Sequence, residues 1–203
     1  MTAGHEPNRV TSDAIAIKNS LEDPDCFEVL FDRHYDAIWR YHSRRAGPAL
    51  ADELASETFV RAFAGRARYD PAHLDARPWL YGIATNLLRK HARAEARRRR
   101  AYARAAEPDE TSGGLEGADG RADAAIRGPA VAAALARLQP RDRETLLLLA
   151  WTELDYEGIA IATSVPVGTV RSRLHRARRH LRIELELEPA PAIADATAER
   201  SRS

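Results

Sequence analysis

The stretch Asp155–Arg182, DYEGIAIATSVPVGTVRSRLHRARRHLR, decides how the rest of the chain is read. It parses as a short helix, a tight turn and a longer arginine-rich helix, the layout of a helix-turn-helix DNA reader. Asp155 is placed to cap the first helix, and Tyr156, Ile159 and Ala160 give it a small apolar face. Pro166 biases Val165 away from helical angles and suits the start of the next helix. In that second helix, at ~100° per residue, Val170, Leu174, Ala177 and Leu181 fall on one narrow stripe. Gly168, Ser172, His175, Arg176 and Arg179 face the other way, flanked by Arg171, Arg178 and Arg182. Guanidinium forks on such a face can reach base edges while neighbouring arginines meet phosphates. Ser164 stands where many such turns carry glycine, and a left-handed serine would cost about 1 kcal/mol.

Outside this stretch the composition is that of a globular protein: 44% hydrophobic and 30% charged residues over 203 positions. Apolar runs such as Leu146–Trp151 fall far short of the ~20 residues a spanning helix needs. No signal-peptide core is present, and the expectation is a cytoplasmic protein without membrane insertion. The single cysteine, Cys26, excludes an internal disulfide and offers no zinc framework. The seven histidines are scattered, no glycine loop suits phosphate and no nucleophile has an evident base, so neither an enzyme nor a metal or other cofactor is expected.

The net charge of +1 conceals segregation. From Arg89 to Arg104 the chain carries Arg89, Lys90, Arg93, Arg97 to Arg100 and Arg104 against Glu95 alone; the arginines of 171–182 form a second block. Between them, residues 105–129 are acidic and rich in glycine, which is linker composition. Two basic elements imply two polyanion-binding surfaces.

Helical spacing of Phe27, Leu30, Phe31, Tyr35, Ile38, Trp39 and His42 predicts a helix from Asp25 to about Arg45, ended by Gly47-Pro48. A second helix is expected from about Ala49 to Phe63, a loop over Arg66–Ala76, and a third, long helix from near Pro78 to about Ala103. Residues 1–24 read as a partly ordered extension, 25–104 as a first helical domain, 130–187 as a second, and 188–203 as a tail. The expected fold is all-α: two small helical domains joined by a flexible acidic linker, the second ending in the helix-turn-helix.

Two faces of the first domain carry chemistry. Glu53, Glu57, Val60 and Ala64 lie together on the second helix, an acidic face with an apolar spot that is either solvated or able to dock a basic partner helix. On the third helix, Trp79, Gly82, Asn86, Lys90, Arg93 and Arg97 share one side, with Arg89 at its margin, opposite Leu80, Ile83, Ala84, Leu87 and Leu88. An aromatic, an amide and a row of cations offer stacking, base-edge hydrogen bonds and phosphate pairing, and Tyr69 can add a second platform.

Five stretches then resemble the extracytoplasmic-function group of sigma-70 family sigma factors: FEVLFDRHYDAIWRY at 27–41, DELASETFVRAF at 52–63, RPWLYGIATNLLRKHAR at 77–93, LQPRDRETLLLL at 138–149, and the helix-turn-helix itself. The resemblance implies an RNA polymerase subunit that directs core enzyme to promoters. It implies that Asp52, Glu53, Glu57 and Val60 meet the beta-prime clamp helices, and that the second domain also meets the beta flap. It implies a pocket for a flipped −10 base around Tyr69 and Asn86, beside Trp79, with Lys90, Arg93 and Arg97 on the backbone. It also implies −35 reading by Thr169, Arg171, Ser172, His175, Arg176 and Arg179, an anti-sigma partner, and nucleoid association when bound to polymerase. Ser56, Lys90 and Gly158 depart from the family's usual glutamine, aspartate and glutamate. The competing reading is a stand-alone helix-turn-helix regulator whose first domain senses a ligand or dimerises.

Overall fold

The computed structural model describes residues 12–105 and 128–185. Most of the expected linker, the first eleven residues and the expected tail lie outside them. Among the described residues every regular element is helical: α1 (Asp13–Asn19), α2 (Glu28–Ala46), α3 (Pro48–Gly65), α4 (Arg77–Ala105), α5 (Pro129–Ala136), α6 (Pro140–Trp151), α7 (Tyr156–Thr163) and α8 (Val167–Glu184). Short 3-10 turns precede α2, at Pro24–Phe27, and follow α3, at Arg66–Arg68.

Local chemistry sets the boundaries. Gly47, at φ 86°, joins α2 to α3, and prolines open α3, α5 and α6, where a missing N–H costs nothing. Asp155 accepts from Gly158 N–H at 2.7 Å and so caps α7. α7 ends at Ser164, which does adopt the left-handed conformation (φ 53°, ψ 47°) and lets its own N–H and that of Val165 satisfy the last carbonyls of the helix.

Leu30, Ile38 and Tyr41 of α2, Ala51, Ala55 and Phe59 of α3, and Leu80, Ala84 and Leu87 of α4 are buried together as the first domain's core. The weak periodicity before residue 20 understates α1. Ser12 caps it, Ala14, Ala16 and Ile17 are buried, and Asp13 is a buried anchor. The Asp13 carboxylate accepts from Arg33 Nη1 at 3.0 Å, from Ala76 N–H at 2.9 Å, and pairs with His34 Nε2 at 2.8 Å. Burial alone would raise its pKa, but these three partners outweigh it and hold the carboxyl at about 2.

In the second domain a small core of Leu135, Leu138, Leu147 and Ala177 ties α5 and α6 to α8. Leu148, Leu154, Ile159, Ala162, Val170 and Leu174 instead belong to the same continuous apolar cluster as Leu30, Leu80 and Ala84. The second domain is therefore packed against the first rather than merely tethered to it.

Candidate nucleic-acid and polymerase interfaces

The helix-turn-helix is built as its pattern predicts. Val170, Leu174 and Ala177 are buried, while Arg171, Ser172, His175, Arg176 and Arg179 are exposed. Thr169 is half-buried in the first turn of α8, and Ser172 Oγ donates back to the Gly168 carbonyl at 2.9 Å. Arg171, His175, Arg178, Arg179 and Arg182 line a concavity of about 540 Å³ closed on one side by Tyr156 of α7. A ring of cations around an aromatic wall suits a polyanion.

Arg176 is committed elsewhere. Its Nε and Nη2 donate to the two oxygens of Asp142 at 2.9 and 2.8 Å, and Asp142 is buried on α6. That carboxylate raises the pKa of the guanidinium through the hydrogen bonds and its charge. Arg173, absent from the predicted outer face, is buried. Spacing alone could have found it: position 173 falls beside Val170 and Ala177 on the helical wheel.

On α4 the sequence-derived face divides in two. Its distal half is open: Lys90, Arg93, Arg97 and Arg100 are exposed. Toward its start, Trp79 is half-buried with its ring 5.0 Å from that of Tyr69, whose hydroxyl donates to the His73 carbonyl at 2.5 Å. Tyr69 is pushed well above the usual tyrosine range by burial and by the nearby Asp13, Asp75 and Asp70. The two aromatics thus form one platform, and Asn86 lies about 10 Å further along the helix at 1.5 Å per residue. Asn86 is exposed, and its side-chain oxygen accepts from Arg89 at 3.0 Å.

Between them the face turns inward. Gly82 is buried against Ala162, and Arg89 pairs with Glu144. The period of α4 by itself leaves these positions to solvent and nucleic acid. Helical arithmetic identifies which residues share a face; it does not identify which neighbour covers it.

On α3, Glu53 and Val60 are exposed, Val60 at 62%, and Glu57 forms an i,i+4 pair with Arg61 at 2.6 Å. Asp52 is more structured than its neighbours: Trp39 Nε1 donates to it at 2.8 Å and Tyr35 OH at 3.4 Å, linking α2 to α3. The result is an open acidic ridge with one apolar residue, mounted beside an aromatic cluster in which Phe59 is buried. At Gly158 a Cβ would lie 3.2 Å from Asp155 Oδ1 and from Leu154, so the residue usual in the family would crowd this cap. No group of three or more potential metal ligands occurs among the described residues, and no helix there is long and apolar enough to cross a membrane.

Two helical units, one with a cation-lined α4 and one ending in a helix-turn-helix, have the makeup of a nucleic-acid-binding protein. A family model for sigma-70 region 2 matches residues 30–98, and one for sigma-70 region 4 matches residues 129–181. The ECF RNA polymerase sigma factor SigC of Mycobacterium tuberculosis is 32% identical over 165 residues, 81% of this chain and 86% of that protein. The fold is shared with CnrH, solved in complex with the cytosolic domain of CnrY (TM-score 0.58, 23% identity, 87% of this chain and 99% of that one). It is shared also with the sigma factor RpoE of Bartonella quintana, solved with the anti-sigma factor NepR (TM-score 0.58, 20% identity, 80% and 98%). The chain belongs to the sigma-70 family, as a sigma factor of the extracytoplasmic-function group. Sigma factors are non-catalytic initiation subunits.

Proposed function

We propose that this sigma factor docks on core polymerase through the α3 ridge of Asp52, Glu53, Glu57 and Val60, and reads promoters through α4 and α8. The acidic ridge meets the beta-prime clamp helices by charge complementarity, with Val60 as the apolar contact at its end. The second domain reaches the beta flap. The Tyr69–Trp79 platform and Asn86 receive the flipped −10 base, and Lys90, Arg93 and Arg97 hold its backbone. On α8, Arg171 and His175 read −35 base edges, with Thr169 and Ser172 beside them, while Arg179 meets phosphate.

The observation that carries this reading is the two-sided α8, buried on Val170, Leu174 and Ala177 and arginine-lined on the face it leaves open. Arg176 contributes to the −35 surface only from its place on Asp142. The protein works in the cytoplasm and joins the nucleoid with polymerase. An anti-sigma factor is its expected regulator, in line with the solved RpoE–NepR complex.

Runoff transcription with core enzyme tests the assignment. Wild-type chain should give a specific product, and a Glu53→Lys, Glu57→Lys double variant should lose it together with co-elution with core. A free protein that footprints a palindrome, with no product from core, would overturn the reading in favour of a stand-alone regulator.

A further inference from the structure

A third set of cations lies outside both basic blocks of the sequence. Arg33, Ala37, Arg40 and Arg44 fall at helical spacing along one side of α2 and line a cleft of about 680 Å³. Its other walls come from Leu74 and Asp75, from Arg77 and Tyr81 at the start of α4, and from residues 151–153 where α6 ends. That volume is within the ~300–1,000 Å³ of small-molecule sites.

The acids lining the cleft already hold cations. Asp13 pairs with Arg33 and His34, and Arg77 bridges Asp75 and Glu153 at 2.8 and 2.9 Å. Arg40 and Arg44 are exposed and make no hydrogen bond or ion pair among the described residues. One turn apart, their like charges repel, and a bound anion relieves that repulsion. Tyr81 is otherwise buried, and its hydroxyl is near enough to Arg77 and Arg40 to feel both charges. Burial pushes its pKa up to about 12, so this hydroxyl keeps its proton and can donate.

The apolar lining is equally pointed. Trp151 is half-buried, packed against the second domain's small core, and gives its remaining surface to the cleft. Leu74, 68% exposed, adds a second apolar surface. Unpaired guanidinium groups beside an anchored indole match a phosphorylated heterocycle, with charge for the phosphates and a ring face for the base. We propose that this cleft binds a nucleoside diphosphate, its phosphates between Arg40 and Arg44 and its base against Trp151 and Leu74. Glu153, whose side chain is 88% exposed, accepts from the ribose hydroxyls. The site shares no residue with the proposed −10, −35 or polymerase surfaces, and it gives the protein a small-molecule input.

Titration calorimetry on the full-length chain, with ADP, GDP and inorganic pyrophosphate as probes, tests this. Physiological salt keeps weak surface binding screened. One nucleotide per chain should bind in the micromolar range, about tenfold tighter than pyrophosphate, which has no base to stack. Arg40→Ser with Arg44→Ser should weaken nucleotide binding by about tenfold or more and leave the melting midpoint unmoved. Trp151→Leu should erase the preference over pyrophosphate. Leu74→Ser, at an exposed position, should reduce that preference and keeps the base contact testable if Trp151→Leu does not fold.

Binding weaker than millimolar for both nucleotides overturns the proposal. Equal affinity for pyrophosphate does so too. A third contrary result is an equal loss from Arg171→Ala with Arg178→Ala, which would put the nucleotide on the recognition helix instead. No arm uses promoter or polymerase, so the outcome is independent of the promoter-reading assignment.

Discussion

Asp142 on α6 grips Arg176 on the recognition helix with both carboxylate oxygens, at 2.8 and 2.9 Å. A buried acid and a solvent-facing base thus lock the helix to its support by a two-point contact that fixes rotation as well as distance.

Two arginines predicted as equivalent −35 readers should therefore separate on mutation. Arg171→Ala should cost about 1–3 kcal/mol of discrimination between promoter and mutated −35 duplex, with the melting midpoint unmoved. Arg176→Ala should weaken binding and also lower the midpoint, because it leaves Asp142 buried without its partner. Thermal melts of both variants, set beside holoenzyme binding to the two duplexes, check the pair. Equal midpoints would remove Asp142 from the account.

Ser164 holds a left-handed backbone without the freedom of glycine. Ser164→Gly should stabilise the protein by up to about 1 kcal/mol, less what the unfolded chain gains in entropy. Urea unfolding measures this, and a midpoint at or below that of the wild type would contradict it.

Acid should destabilise the fold in two successive windows. His42 is buried between α2 and α3, and Thr58 Oγ1, which gives its proton to the Leu54 carbonyl, accepts from His42 Nε2. Nδ1 is left bare and unpartnered, and burial lowers the pKa of the ring to about 4. The unfolded chain therefore binds the extra proton from about pH 6.5 down to 4, and stability falls across that range by up to about 3 kcal/mol. Asp13 has the opposite chemistry and the same direction. Its contribution is complete above the ordinary carboxylate range and is lost as pH drops from about 4 to 2, at most about 2 kcal/mol. Urea melts from pH 7 to 2 should show both slopes. His42→Gln should flatten the upper one alone, and an unchanged slope there would refute the assignment.

The −10 platform makes a claim about rings rather than hydroxyls. Tyr69→Phe keeps the packing on Trp79 and loses only the bond to the His73 carbonyl. It should melt promoters nearly as wild type, while Tyr69→Ala should lose about tenfold or more, in line with ~1–3 kcal/mol for a base–aromatic stack. Permanganate footprints of the open complex report the difference. Equal activity of the two variants would remove Tyr69 from the base-binding site.

The sequence disclosed whatever has a period. The α8 stripe, the apolar side of α4 and the proline-and-glycine boundaries all follow from residue spacing. It did not disclose pairings between distant segments, because nothing in a helical period says which charge meets which. Glu144, 55 positions from Arg89, reads as one more exposed acid in PRDRETL until the fold brings the two together. Asp142 and Arg176 are 34 apart and equally silent. α1 was legible only as part of a partly ordered extension, for another reason: with 7 residues it is too short to show a period, and its importance rests on one side chain.

That side chain has reach. The Asp13 carboxylate collects donors from α2 and from the Ala76 backbone, one residue before α4 begins. The long helix that carries Trp79, Asn86 and the arginine row is thus pegged at its root by a side chain of α1. A ribosome emits that peg long before the helix it anchors. Shortening the chain at its beginning past Ser12 would be felt at the promoter.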